Sequence, residues 1–194
     1  MRFAALALLI PTISWCAARQ PLSIEDWWAW RQVASPRINA DGTDAVYVET
    51  WNDRATDRVC GNLWTVSIAG GTPRRVTEGP WRDSSPRWGP DAPSGATPGA
   101  TSGASLAWIS DRSGTPQIWV RRMVNSMMAA AEKITDLADP PLAFAWSPDG
   151  KSLALTVRVR GGGAARAHLF VVPSSPPIGA ASVTERPGTA NNSA

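Results

Sequence analysis

A short pattern recurs three times along this chain, and a repeat of this spacing constrains the architecture more than any single residue does. It reads Ser35-Pro36-Arg37-Ile38-Asn39-Ala40-Asp41-Gly42, then Ser85-Pro86-Arg87-Trp88-Gly89-Pro90-Asp91, then Phe144-Ala145-Trp146-Ser147-Pro148-Asp149-Gly150. Each copy carries turn chemistry. Pro sets φ, Asp can hydrogen-bond local backbone, and Gly takes a conformation that a β-carbon would forbid. A strand pattern follows each turn. After Gly150, Leu153, Leu155, Val157 and Val159 alternate with Ala154, Thr156 and Arg158, the period of a strand with two distinct faces. Val46 and Val48 hold the same place in the first copy, and Leu106 and Trp108 in the second. A hairpin is expected at every copy.

Two further strands complete each unit. The third is expected at Asn62–Ile68, Gln117–Val120 and His168–Val172, the fourth at Arg74–Thr77, Glu132–Thr135 and Ser182–Thr184. Four short antiparallel strands in about 40 to 50 residues make a propeller blade. Asp41 to Asp91 is 50 residues and Asp91 to Asp149 is 58. The excess lies in residues 92–105, a low-complexity Pro, Gly, Ala, Ser and Thr loop expected to be flexible and exposed. Residues 126–133 replace the Gly-Gly hairpin of the first copy, and their Met and Ala content predicts one helical turn. Thr77 precedes Trp88 by 11 residues, as Thr135 precedes Trp146. The same interval from Thr184 lands on position 195, so the next blade is expected there.

The fold class expected is therefore all-β, a partial propeller of about three four-stranded blades. The divisions are a signal peptide at 1–18, a short helix and lead-in at 19–34, the incomplete propeller at 35–184, and an end segment at 185–194. The signal peptide follows from Met1-Arg2, an apolar run from Phe3 to Trp15, and the small residues of Cys16-Ala17-Ala18. That run is too short to span a bilayer, so no stable membrane span is expected. Export to the periplasm or the exterior is. Lipidation at Cys16 is the lesser alternative, because Trp15 stands where a lipobox has a small residue. With Cys16 removed, Cys60 is the mature chain's one thiol and can form no internal disulfide.

The 11 Trp, 17 Pro and 16 Gly fit many strands and turns. The formal charge of +3 comes from scattered Lys and Arg, and nucleic acid, which wants a clustered basic face, is excluded as a partner.

Ser23 is placed as the N-cap of a short helix through Ser23-Ile24-Glu25-Asp26-Trp27-Trp28-Ala29-Trp30-Arg31, leading into the first copy. This opening, with Leu63-Trp64-Thr65-Val66, Gly70-Gly71-Thr72-Pro73-Arg74-Arg75-Val76-Thr77 and the stretch from Trp108-Ile109-Ser110-Asp111-Arg112 to Ile118-Trp119, resembles the start of exported bacterial acylaminoacyl-peptidase and dipeptidyl-peptidase relatives of prolyl oligopeptidase. The resemblance covers nearly all of Leu22 to Thr184. The blade motif alone is shared with TolB-like propellers, which bind envelope proteins, and the opening helix favours the peptidases. The resemblance implies a substrate-gating propeller, peptide substrates, and a C-terminal α/β-hydrolase partner domain bearing a Ser, Asp, His triad.

The triad chemistry needs a nucleophile on a Gly-x-Ser-x-Gly elbow with an oriented His base, and no such elbow occurs in the sequence. No catalytic, cofactor-binding or metal-binding residue is assigned, and no cofactor is expected. His168 reads as a strand residue and Cys60 as a half-buried turn residue. Gly161-Gly162-Gly163 reads as a hairpin, since no Lys-Ser/Thr follows it. Asn39 to Asp44 resembles part of a calcium loop but lacks its later Glu. Dipeptidyl peptidases hold the substrate's amino terminus with paired Glu, whereas Glu25, Glu49, Glu78, Glu132 and Glu185 are isolated in sequence. Trp64, Trp88, Trp108, Trp119 and Trp146 are assigned to core packing.

Overall fold

A computed structural model of the chain describes residues 21–90, 105–124, 127–161, 164–174 and 184–185. The expected signal peptide with Cys16, nearly all of the loop at 92–105, and the end segment apart from Glu185 lie outside the described residues.

The helix α1 (Ile24–Ala29) begins with a reciprocal cap. Ser23 Oγ accepts the Asp26 backbone N–H at 3.1 Å, and the Asp26 carboxylate accepts the Ser23 backbone N–H at 2.8 Å. Two amide donors that a six-residue helix leaves unpaired are thereby satisfied. No residue of α1 is buried; Asn52 Nδ2 ties it to the first sheet by donating to the Trp27 carbonyl at 3.1 Å.

Three antiparallel sheets follow. The first comprises β1 (Arg31–Ile38), β2 (Asp44–Asp53), β3 (Arg58–Ser67) and β4 (Arg74–Arg75), in that spatial order. The second has β5 (Asp83–Trp88), β6 (Ser105–Ser110) and β7 (Gln117–Val124), with an outer edge divided between β8 (Met127–Met128) and β9 (Glu132–Lys133). The third is β10 (Pro141–Trp146), β11 (Ser152–Gly161), β12 (Ala164–Pro173) and β13 (Thr184–Glu185). This is a partial β-propeller, each sheet a meander that runs in chain order.

The helical turn expected within 126–133 is not formed by the described residues 127–133. β7 extends to Val124, and Met127–Met128 pair back on Met123 and Val124, while Glu132–Lys133 pair with Trp119 and Val120. An unpaired β7 end offers backbone groups that a strand satisfies and a helical turn does not.

The turn chemistry repeats in detail. The Gly42 N–H reaches the Asn39 carbonyl at 3.1 Å and Gly150 reaches Ser147 at 3.0 Å, with φ of +74° and +68° at the two glycines. Asp41 accepts the Thr43 N–H at 3.1 Å, and Asp149 accepts that of Lys151 at 3.0 Å. The Ser-Pro pairs, by contrast, are not equivalent in all three copies. Ser35-Pro36 and Ser85-Pro86 lie inside β1 and β5, at bulges where the serines adopt φ of +53° and +54°, whereas Ser147-Pro148 lies in the turn after β10. Structure aligns Ile38, Trp88 and Trp146, each ending the first strand of its sheet.

The sheets stack through alternate faces. Trp108 and Leu106 of β6 point toward the first sheet, joining Val46, Val48, Leu63 and Val76. Ala107 and Ile109 on the opposite face join Ile118, Val120, Phe144, Leu153, Leu155 and Val172 of the second and third sheets. The period-2 pattern thus supplies two separate cores from one strand. First strands are linked edge to edge. Trp88 Nε1–H donates to the Arg37 carbonyl at 3.0 Å, and Trp146 Nε1–H donates to the Arg87 carbonyl at 3.2 Å. Trp64 departs from the core role expected of it: it lies half-buried on the outer face of the first sheet with the Arg75 guanidinium over its ring at 4.8 Å.

Candidate functional site

The residues weighed from the sequence fall on separate elements of the fold. The His168 backbone pairs with Val157 inside the β11–β12 ladder. Gly161 pairs with Ala164 at the end of that ladder, and Gly162 and Gly163 lie outside the described residues. Cys60 is buried within β3 rather than half-buried in a turn, and burial first, with the Asp53 charge, pushes its thiol pKa up, the opposite of an activated nucleophile. In the loop from Asn39 to Asp44, Asp41 spends its oxygen on Thr43 and Asn39 on Asp44, so its polar groups close the turn. No cluster of three or more His, Cys, Asp or Glu suited to a metal exists among the described residues.

The structure does bring together groups that sequence spacing keeps apart. Glu49, Asp53 and Glu78 line one cleft on the outer face of the first sheet, with Arg31, Trp51, Trp64 and Arg75. Glu49 lies 4.0 Å from Arg31, and Glu78 accepts from Arg75 at 2.9 Å. Residues 49 and 78 belong to β2 and to the segment after β4, and only their common sheet face joins them. No local sequence signal reports that.

A second constellation sits between the first two sheets. Asp83, fully buried at the start of β5, accepts from Arg112 Nη2 at 2.9 Å through both oxygens and from Trp108 Nε1 at 3.2 Å. Arg112 Nε donates to Ser110 Oγ at 2.9 Å. The guanidinium carbon lies 5.1, 5.4 and 5.0 Å from the ring centres of Trp81, Trp108 and Trp119, a cage of three indoles around one cation. Twenty-nine residues separate Asp83 from Arg112, so the pair is invisible until β5 and β6 align. Beside it, Arg121 of β7 donates through Nε to the Ala129 carbonyl at 2.7 Å and through Nη1 to the Val76 carbonyl. Burial first, then the Arg112 charge, holds the Arg121 pKa below the ordinary arginine value.

No protein-family model matches the chain. It is 31% identical over 137 residues to the uncharacterized peptidase YuxL of Bacillus subtilis, a match covering 70% of this chain and 19% of the relative. Among solved structures, the acylaminoacyl peptidase of Pyrococcus horikoshii matches with a TM-score of 0.53 at 14% identity, over 76% of this chain and 24% of that one. An acylaminoacyl peptidase bound to Z-Gly-Gly-Phe-chloromethyl ketone matches with a TM-score of 0.56 at 13% identity, over 78% and 25%. The chain spans about a fifth of the curated relative's length. Its fold matches the propeller-like part of these acylaminoacyl and prolyl oligopeptidase-family peptidases, and its sequence is similar to that of a bacterial peptidase.

Proposed function

We propose that the chain is the non-catalytic, substrate-gating propeller segment of an exported serine peptidase of the prolyl oligopeptidase family, with peptide substrates admitted past it to a C-terminal α/β-hydrolase domain. The 31% identity to a peptidase over 137 residues carries the reading. The propeller fold shared with acylaminoacyl peptidases supports it. The segment has no hydrolytic activity of its own, since its sequence holds no Gly-x-Ser-x-Gly to present a nucleophile. Export rests on residues 1–18, with a signal peptide cleaved near Cys16-Ala17-Ala18. Among the described residues no helix is long and apolar enough to cross a membrane.

Two measurements test this reading. The coding sequence downstream of codon 194 is expected to encode further blades and then an α/β region with Gly-x-Ser-x-Gly. A stop shortly after a sixth blade would sink the peptidase reading in favour of a TolB-like binding module. The 194-residue chain alone is expected to leave acyl-amino-acid and dipeptide nitroanilides intact, and hydrolysis blocked by a serine reagent would contradict the non-catalytic role.

A further inference from the structure

The cleft between the first two sheets is lined by Arg75, Val76, Thr77, Glu78, Arg112, Arg121 and Ala131. Three guanidiniums face it against one carboxylate, and Glu78 is already paired with Arg75. Asp83 engages Arg112 through Nη2 and Ser110 engages it through Nε, which leaves the Nη1 donors unspent among the described residues. Arg121 has no carboxylate partner among the described residues; carbonyls of Val76 and Ala129 take its Nη1 and Nε, and its Nη2 makes no hydrogen bond. Two indole N–H groups of the cage around Arg112, those of Trp81 and Trp119, are buried without a partner. Arg74 and Asp44 line the adjoining cleft that shares Arg75 and Arg121, and their charges offset each other there.

The repeat identifies Arg121 as an exception. Trp88 pairs with Leu106 and Leu106 with Arg121; the same ladder runs from Ile38 through Ala45 to Val66 in the first sheet, and from Trp146 through Leu153 to Val172 in the third. A propeller sheet takes valine at this position in two of its three copies, so the scaffold does not call for arginine. Partly buried, next to a second arginine and lacking a counter-charge, Arg121 has an electrostatic cost that an anion would relieve.

We infer that this cleft binds a carboxylate, held by the unspent donors of Arg112 and Arg121. Planar guanidinium edges match a carboxylate in geometry, and a partly desolvated cleft strengthens each charge-assisted bond. Peptides carry this group in two places, on acidic side chains and at the C-terminus. The inference rests on this cleft alone and does not depend on the peptidase reading.

The test is calorimetric titration of the full 194-residue chain at fixed ionic strength with Ac-Glu-Glu-Glu-NH2, with Ac-Gly-Gly-Ala carrying a free C-terminus, and with inorganic phosphate. Saturable binding of one or both peptides is expected, and the pair distinguishes side-chain from C-terminal carboxylates. Arg121→Val, which installs the residue of the other two sheets, is expected to weaken binding at least about tenfold, the worth of a charge-assisted bond. Arg121→Gln provides the same readout should the valine variant fail to fold. Arg54→Ala, in the exposed β2–β3 turn, is expected to leave binding unchanged. The inference is overturned by no saturable binding, by phosphate binding as tightly as either peptide, by equal affinity in the Arg121 variants, or by an equal loss in Arg54→Ala.

Discussion

Asp83, at the start of β5, is a charged residue inside a buried part of the second sheet. It is fully buried, and Arg112 and the Trp108 indole together satisfy its carboxylate. Removing one partner of a buried ion pair leaves the other charge uncompensated, so Asp83→Ala is expected to cost about 3–5 kcal/mol, measured as a shift in the denaturation midpoint at unchanged slope. A cost below about 1 kcal/mol, as for an exposed pair, would contradict this account of the network. Cys60, with its thiol pKa raised chiefly by burial, is expected to react with a disulfide reagent only after denaturation; rapid labelling of the folded chain at neutral pH would contradict its burial. Asp41 and Asp149 respond to pH in the opposite sense. Hydrogen bonds from Thr43 and Ser147 respectively hold each carboxyl below the ordinary aspartate value. A depressed folded pKa means that the turn's contribution is complete above the unfolded value and is lost as pH falls through the folded one. Titration of both carboxyls by NMR is expected to place their midpoints below that of a random-coil aspartate.

At the level of elements, the recurring contact is the indole bond between first strands. Trp88 and Trp146 each donate to the residue preceding the equivalent aromatic or aliphatic position in the previous sheet. Trp146→Phe keeps most of the ring and deletes the donor, and the expected loss is about 0.5–1.5 kcal/mol, read from chemical denaturation. No loss would show that ring packing alone joins the strands. The sequence made the blades legible because their turns are locally encoded: Asp41-Gly42 and Asp149-Gly150 need no tertiary help to adopt their geometry. Alternation in β11 was legible for the same reason, since one face is apolar over several residues. The outer edge of the second sheet was not. Met127–Met128 become a strand because Met123 and Val124 of β7 lie opposite, a pairing that propensity does not report. The clefts were illegible likewise, as Glu49 meets Glu78, and Arg112 meets Arg121, only across assembled strands. Arg121 left one trace in the sequence, an arginine where the aligned copies have Val66 and Val172.

At the scale of the whole molecule, the third sheet resembles the second on both faces but is covered on one. Ladder positions equate Leu169 and Val171 with Ile118 and Val120. The latter pair is fully buried against the third sheet, whereas Leu169 and Val171 are 53% and 37% exposed. Side chains patterned for burial and left in water favour association. Leu169→Asp combined with Val171→Asp is therefore expected to raise the monomer fraction of this chain in analytical ultracentrifugation; a wild-type chain already monomeric at high concentration would contradict that expectation. The same face is where another blade would stack, in keeping with a chain that spans about a quarter of the acylaminoacyl peptidases it matches. The most direct test of the proposed role is labelling, with a fluorophosphonate, of the polypeptide that carries this chain in its native cell, followed by peptide mapping. The label is predicted on a serine of a Gly-x-Ser-x-Gly sequence outside these 194 residues but within the same polypeptide. A label on a serine inside them, or a polypeptide that takes none, would contradict the account.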